Sequence, residues 1–543
     1  MKLKLLALPW YHTNYNTGEF SGKRSFPPLG IATLTAFLKE NNISVEQDDL
    51  DIRVSDHNEK TRDFDERINI ELFADERRIN DFTKKGDDHQ LEKEGEKILK
   101  LTKCKSYDLI GFSLGTDENS SVTGTAVTLG KILKERYDIP IIMGGLIEKS
   151  ATKTILESTF VDFEILSSRF SSIAEINLLN FCKIFENGVD LENVPGVNYV
   201  KNGKYVYWYE DSHGNLFCID GRRGNYKRKE KVIFTRPCFD GLPMEMYRRK
   251  ISQKIDGDWY RKNILLLPYF FIRGCPNHCT FCVYSQQPLL GVKDPKKVAE
   301  DLEYLSKKYK TKCFFFLNTE INPTYEYAER VAEEIIKKDL DIIWSDCATF
   351  KGMNENLLKK LKRAGAARLV FGLESASQKM LKYLQKGFDI SRARECLKWS
   401  HQLGIWNQLD LICGFPYETL DDVNITINFL KTEKKHIDDI NLNRFFVDGL
   451  LREYPEKYGI ILKEKGKIYR DWSTIPFDEI NGLPWEERIK LNIQAFKKLR
   501  TARLTQRESN LPEPINTHVV FFIALLQKEF GIKKEKIMAG LKI

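Results

Sequence analysis

The 543-residue sequence has no long apolar run: Val519 to Leu526 near the C-terminus is eight residues, against the roughly 20 that span a bilayer. The apolar stretch within Met1–Pro9 is too short for a signal core, and no small-residue cleavage site follows it. The expectation is a cytoplasmic protein with no membrane partner. Charge of one sign is scarce as well. The net value, 85 basic minus 77 acidic residues, is +8 and spread along the chain, so composition makes no case for nucleic acid. There is no repeat at a solenoid period. Eleven cysteines, an odd number without a signal, disfavour a disulfide framework and leave metal binding, catalysis or burial. None follows Cys413.

With 42% hydrophobic and 30% charged residues, the chain is long enough for two or three packed domains. Its first part alternates: a strand at Leu3 to Leu8, a helix opened by Pro27 and Pro28, a short strand at Ile43 to Val45, a buried strand at Leu109 to Phe112, a helix through Leu129 to Leu133, and a strand from Ile139 to Met143 ending on Gly144-Gly145. That is the βαβ pattern of a parallel sheet. Residues 56–103 hold 14 acidic and 11 basic side chains, and Phe64, Ile68 and Leu72 sit at helical spacing. The stretch is expected to be an inserted, solvated helical segment.

Residues 186–262 contain short strands between Gly and Pro punctuation. From Ile264 alternation resumes with at least five strand–helix units, the pattern of a barrel with its function at the carboxyl ends of the strands. The last segment, from about 456, is helical and basic at its end, and is also expected to be solvated. The expected organisation is 1–185, an α/β Rossmann-like domain with the charged insertion 55–103; 186–262, a connector; 263–455, a partial (β/α)6 TIM-type barrel; and 456–543, a small, mostly helical region.

Directly after the first barrel strand stands Arg273-Gly-Cys275-Pro-Asn-His-Cys279-Thr-Phe281-Cys282. Three thiolates at this spacing suit a [4Fe–4S] cluster with one iron left open. The alternative is zinc, which prefers four closed ligands and would have only His278 nearby as the fourth.

This loop resembles the signature of the radical S-adenosylmethionine (SAM) superfamily, and the resemblance runs from 263 to about 455. It implies that Cys275, Cys279 and Cys282 hold the cluster, that SAM chelates the open iron, and that one electron from a reductant such as flavodoxin or ferredoxin cleaves SAM to a 5′-deoxyadenosyl radical. By the same resemblance Phe281 packs beside the adenine, unless it is simply core. Phe371-Gly372-Leu-Glu374-Ser375, followed by Lys386-Gly387, is similar to the family's run at a strand end, making Gly372, Glu374 and Ser375 SAM contacts. Gly414-Phe415-Pro416 resembles the next such loop, with a plain turn as the alternative for Phe415 and Pro416. Asn318 and Glu320 are candidates for the methionine portion or the substrate, or else a solvated helix cap.

The first domain is similar to the cobalamin-binding domain that precedes many radical SAM enzymes, through Pro27-Pro28-Leu29-Gly30, Ile110-Gly111-Phe112-Ser113 and Met143-Gly144-Gly145. This makes Pro28, Gly30, Ser113, Gly144 and Gly145 candidate cobalamin contacts. The D-x-H-x-x-G pattern that supplies a cobalt ligand is missing, and Asp211-Ser-His213-Gly214 only brushes it. Ser167-Ser168-Arg169 stands where relatives carry an acidic turn. A domain that binds no cobalamin is the alternative.

Cys347 and Cys413, at strand ends, are candidate hydrogen donors or core residues; the other cysteines are expected to be buried. The resemblance implies a cobalamin-dependent radical SAM enzyme moving a methyl group to an unactivated carbon of a small molecule or peptide. The alternatives are a non-methylating epimerase, cyclase or ring-rearranging enzyme on the same scaffold, and a non-catalytic metal-binding regulator.

Overall fold

The structure is a computed structural model that describes residues 1–9, 25–117, 120–147, 149–168, 172–188, 194–210, 216–219, 225–226, 232–286, 291–463, 474–506 and 517–541. Among them no helix is long and apolar enough to cross a membrane. The chain forms two compact units, Met1–Arg248 and Arg249–Ile543.

The first unit is built on one sheet. Strands Ser44–Asp49, Lys2–Ala7, Leu109–Asp117, Ile141–Ile147 and Phe163–Ile165 lie side by side in that order, all parallel. Antiparallel strands Val197–Lys201, Lys204–Glu210, Leu216–Ile219 and Asn225–Tyr226 extend it. The parallel part has the doubly wound order 2-1-3-4-5, whose ligands dock at the carboxyl ends of the strands where the winding reverses. Strand Leu109–Asp117 ends there. Helix Leu29–Glu40, capped by the extended Pro28, starts at the same edge because it follows the first strand.

The charged insertion is not solvated throughout. Helices Leu50–Lys60, Glu76–Lys85 and His89–Lys100 and the turn Ile70–Ala74 occupy it, and Ile68, Phe73, Ile79, Phe82, Leu91 and Ile98 are buried in the core of the unit. Small residues on helix Ser120–Tyr137 let them in: a Cβ on Gly124 would lie 2.3 Å from the Phe73 carbonyl oxygen. Part of the acidic count is capping, since Asp75 and Asp88 each accept backbone N–H bonds at a helix start. The expected pairing of Phe64 with Ile68 and Leu72 fails because 61–69 is not helical, and Phe64 is 80% exposed.

The second unit opens with a hairpin, Arg249–Ile255 and Asp258–Ile264, so the first barrel strand is shorter than expected. Six parallel strands then follow in sequence order: Leu266–Tyr269, Cys313–Phe316, Ile343–Ala348, Ala366–Glu374, Trp406–Cys413 and Asp439–Arg444. Helices between them cover the outside. The residues that alternate outward, such as Leu369, Phe371 and Leu373, are fully buried. Helix Trp485–Gln506 packs on the fifth and sixth strands, and helix Thr517–Phe530 on the hairpin and the third and fourth strands. Val520 to Leu526 are buried, so the basic C-terminal helices are not simply solvated surface. Some of their charges are buried too, among them Arg488, Arg503 and Lys534.

Candidate active site

The three cysteines lie in the loop after the first barrel strand, at the carboxyl end of the sheet. Cys275 donates through its Sγ to Glu320 Oε1 at 3.2 Å, and Asn277 turns back to bond both that sulfur and the Glu320 carboxylate, with its Nδ2 2.9 Å from each oxygen. Thr319 Oγ1 donates to the Gly274 carbonyl and pins the loop. Cys282 N–H bonds the Cys279 carbonyl, folding the second half into a turn. Burial pushes the thiols up, Cys275 to about 12 and Cys282 to about 11; a bound metal must supply the positive charge that makes them thiolates. No three His, Cys, Asp or Glu side chains among the described residues converge closely enough for one metal ion. Three thiols in one loop are the ligand set of a cluster with each sulfur on a separate iron, whereas a structural zinc takes four ligands.

Beside them lies a buried ion pair. Lys386 Nζ is 3.2 Å from Glu374 Oε1, with both side chains under a tenth exposed. Burial opposes the lysine's charge, but Glu374 and the thiols of Cys279 and Cys282 outweigh it and hold Lys386 protonated above its ordinary range. Glu374 has φ +63°, a conformation few non-glycine residues adopt away from functional sites. Gly372 is required here: a Cβ would stand 2.8 Å from Glu374 Oε1 and 3.3 Å from Lys386 Nζ. Burial raises Glu320, opposed by the Cys275 hydrogen bond and by Lys386 and Lys351.

Phe281 stacks obliquely on Phe415, ring centroids 5.4 Å apart, and Phe415 on Phe445 at 5.0 Å. Phe415 and Pro416 are buried and Phe281 partly so. Behind them Gly414 N–H donates to Glu418 Oε2 at 2.6 Å. Ser375 is buried against Thr426 and accepts from the Ser377 N–H. Asn318 is committed to the scaffold: its Oδ1 accepts from Phe271 and Ile272 N–H and its Nδ2 donates to Asp346 at 2.7 Å. Its oxygen is therefore fully engaged and one of its two amide N–H groups is held by Asp346, whereas Glu320 two residues on faces the cysteine loop.

Cys413 is corrected. Strand alternation turns Ile412 inward and Cys413 outward into a fully buried apolar cluster with Phe415, Phe445 and Trp485, so it faces no reacting group. Cys347 alternates the other way and is solvent-accessible although protein surrounds it and raises its thiol pKa, as a side chain lining the barrel interior does.

In the first unit, Ser113 and Gly144 are register neighbours on adjacent strands. Gly145, at φ +144°, passes so close that a Cβ would be 2.8 Å from the Gly115 carbonyl. Its N–H donates to Ser167 Oγ at 3.3 Å. Gly30 is exposed, with nothing within 4 Å of a Cβ placed on it. Small residues thus line one edge of the sheet, where a large flat ligand can approach the backbone. Arg169 and Asp211 to Gly214 lie outside the described residues.

Several residues have no motif to announce them. Gly449, at φ +60°, lies against the cysteine loop, and a Cβ there would be 2.5 Å from the Cys282 carbonyl oxygen. Gly449→Ala is expected to destabilise the unit by about 1–3 kcal/mol and to lower iron retention after reconstitution; unchanged iron and stability would contradict this packing. Arg368, Gln408, Asp410 and Asn441 point into the barrel. The signal was present as polar residues at alternate positions of otherwise apolar strands, in Gln408-Leu-Asp410-Leu for example.

Residues 269–430 match the model of the radical SAM superfamily, so the second unit contains a radical SAM domain. An uncharacterized methyltransferase of Pyrococcus horikoshii is 26% identical over 343 residues, 62% of this chain and 66% of that protein. The anaerobic magnesium-protoporphyrin IX monomethyl ester cyclase of Rubrivivax gelatinosus is 29% identical over 163 residues, 29% of each chain. The chain thus spans less than two thirds of the length of these curated relatives. The radical S-adenosylmethionine methyltransferase TsrM of Kitasatospora setae, solved with cobalamin and a [4Fe–4S] cluster bound, superposes with a TM-score of 0.55 at 14% identity, covering 86% of this chain and 82% of its own. At that identity the likeness is one of fold, and it extends over both units.

Proposed function

We propose that the protein is a cobalamin-dependent radical SAM methyltransferase acting on an unactivated carbon of a small molecule or peptide. The observation that carries this is the three-cysteine loop at the mouth of a six-stranded parallel barrel, with Glu320, Glu374 and Lys386 beside it. When bound, the cluster and SAM supply a hydrogen-abstracting radical and cobalamin supplies the methyl group. Cys275, Cys279 and Cys282 would hold the cluster. Glu374 and Glu320 offer carboxylates to the ammonium and ribose hydroxyls of SAM, and Lys386 offers its charge to the carboxylate of SAM and to the thiolates. Phe281, Phe415 and Pro416 give the adenine an apolar wall that excludes water. Ser113, Gly144, Gly145, Pro28 and Gly30 would receive cobalamin at the sheet edge of the first unit. A one-electron reductant of the flavodoxin or ferredoxin class, and the cytoplasm, suit an oxygen-sensitive cluster.

Product analysis tests this. Deoxyadenosine and S-adenosylhomocysteine in equal amounts, with a methylated product, are expected; deoxyadenosine without S-adenosylhomocysteine would overturn methyl transfer. Accessible Cys347 favours a second reading, a non-methylating enzyme with a thiol hydrogen donor. Deuterium from solvent appearing on a substrate carbon, and lost in Cys347→Ala, would be its mark.

A further inference from the structure

Arg368 is an unusual residue to find where it is. On the fourth barrel strand it alternates inward with Val370 and Gly372, is 5% exposed, and has no carboxylate in ion-pair contact among the described residues. Its Nε donates to Ser345 Oγ at 2.8 Å and its Nη1 reaches Gln408 Oε1 at 3.4 Å. Its guanidinium lies 5.5 Å from the Phe315 ring. These contacts fix the plane of the group and leave its end, the fork formed by the two Nη atoms, without an anion. Burial lowers it to about 10, with Asp439 and Asp410 too distant to cancel the effect. A buried cation that no carboxylate compensates is costly to the fold, so it is expected where a ligand provides the partner.

Asp410 makes the complementary case on the adjacent strand. It alternates inward with Gln408 and Ile412, its Oδ1 is buried without a hydrogen-bond partner, and burial together with the charge of Glu374 raises it to about 6. Arg368 is in register with Trp406, four residues before Asp410, so the two backbones are offset by roughly 13 Å along the strand direction. The two side chains alternate into the same barrel interior from adjacent strands, and each feels the other's charge. Cys347 opens onto the same interior, and Asn441, in register with Asp410, hydrogen-bonds its carboxylate, so that Oδ1 alone is left without a partner.

We infer that the barrel interior holds the head of a free α-amino acid, with its carboxylate end-on to the Arg368 fork and its ammonium on Asp410. One ligand carrying both charges would give Arg368 a counter-anion and Asp410 Oδ1 a donor. A phosphate would serve only the first and an amine only the second. The inference names the substrate class of the proposed methyltransferase and rests on that assignment.

The test uses the full chain with its cluster reconstituted, a panel of the twenty free L-amino acids, and the amide and the decarboxylated amine of any that binds. At least one amino acid is expected to raise the unfolding midpoint by about 5 °C at saturating concentration. Its amide and amine should bind at least roughly 30-fold more weakly by equilibrium dialysis. Arg368→Gln should lose the amino acid by a similar factor while its own unfolding midpoint does not fall. Asp410→Asn should weaken the amino acid but not the corresponding carboxylic acid without the amine. Failure of every amino acid to bind, equal binding of acid and amide, or full affinity in both variants would overturn the inference. Iron content and deoxyadenosine formed without added substrate report the proposed function separately, and both persist if only the amino-acid assignment is wrong.

Discussion

Replacing Cys275, Cys279 and Cys282 together by alanine is expected to drop reconstituted iron from about four per chain to background and to cut deoxyadenosine formation by ~10³-fold or more. The reason is local. The three sulfurs share one loop at the barrel mouth, and Lys386 beside Cys279 and Cys282 favours anionic ligands at that point. The carboxylates of Glu320 and Glu374 are too hard to retain iron–sulfur clusters in their place. Cys182, fully buried in the first unit, is the control: Cys182→Ala should leave iron and cleavage unchanged. Stoichiometric zinc in the unaltered protein, with no cluster after anaerobic reconstitution, would instead favour a metal-binding regulator and refute the enzymatic assignment.

Glu479→Ala is expected to destabilise the second unit by about 3–5 kcal/mol, read as a lowered denaturant midpoint. Glu479 and Arg488 are each only 2% exposed and meet at 2.5 Å. The glutamate also accepts the N–H of Tyr417 and of Leu483, and Arg488 donates to the Glu418 carbonyl. Tyr417 itself has φ +61°. Removing Glu479 strands a buried guanidinium and frees the loop that carries Phe415 and Pro416, so SAM affinity should fall with stability. The paired change Glu479→Leu with Arg488→Met should cost much less, because no charge is left unpaired. A single mutant as stable as the parent would show that the pair is solvated in solution.

Helix and strand alternation was legible wherever apolar periodicity was strong. Five of the six barrel strands and four of the five parallel strands of the first unit fall near their expected positions because buried strands read as continuous apolar runs, while Asp439–Arg444 and Phe163–Ile165, one polar and one only three residues long, gave no such run. The insertion at 56–103 misled because net polarity describes a segment's outer face and says little about a buried stripe. Seven or so apolar side chains suffice to dock it, and they meet glycines far away in sequence, such as Gly124 against Phe73. The same holds for the C-terminal helices.

Within the candidate site, Cys275, Cys279 and Cys282 and the run Gly372 to Ser375 fall at the carboxyl end of the barrel sheet, where the motifs had placed them, because local motifs carry their own geometry. Asn318 and Cys413 show where that ends. A strand-end position says that a residue is near the barrel mouth, but the inward or outward sense depends on register, which reverses with each residue. Cys413 points into the core and Cys347 into the barrel for that reason alone.

The sequence by itself determined the chemistry available: three thiols in one loop, and two runs of alternating strands and helices to present them. Only the tertiary structure decided which side chains face one another. The pairing of Lys386 with Glu374, the closure of Gly449 on Cys282, and the inward-facing Arg368 and Asp410 on neighbouring strands bring together residues between 12 and 167 positions apart in the chain. Charge compensation and close packing are properties of contact in space, and no local pattern records them.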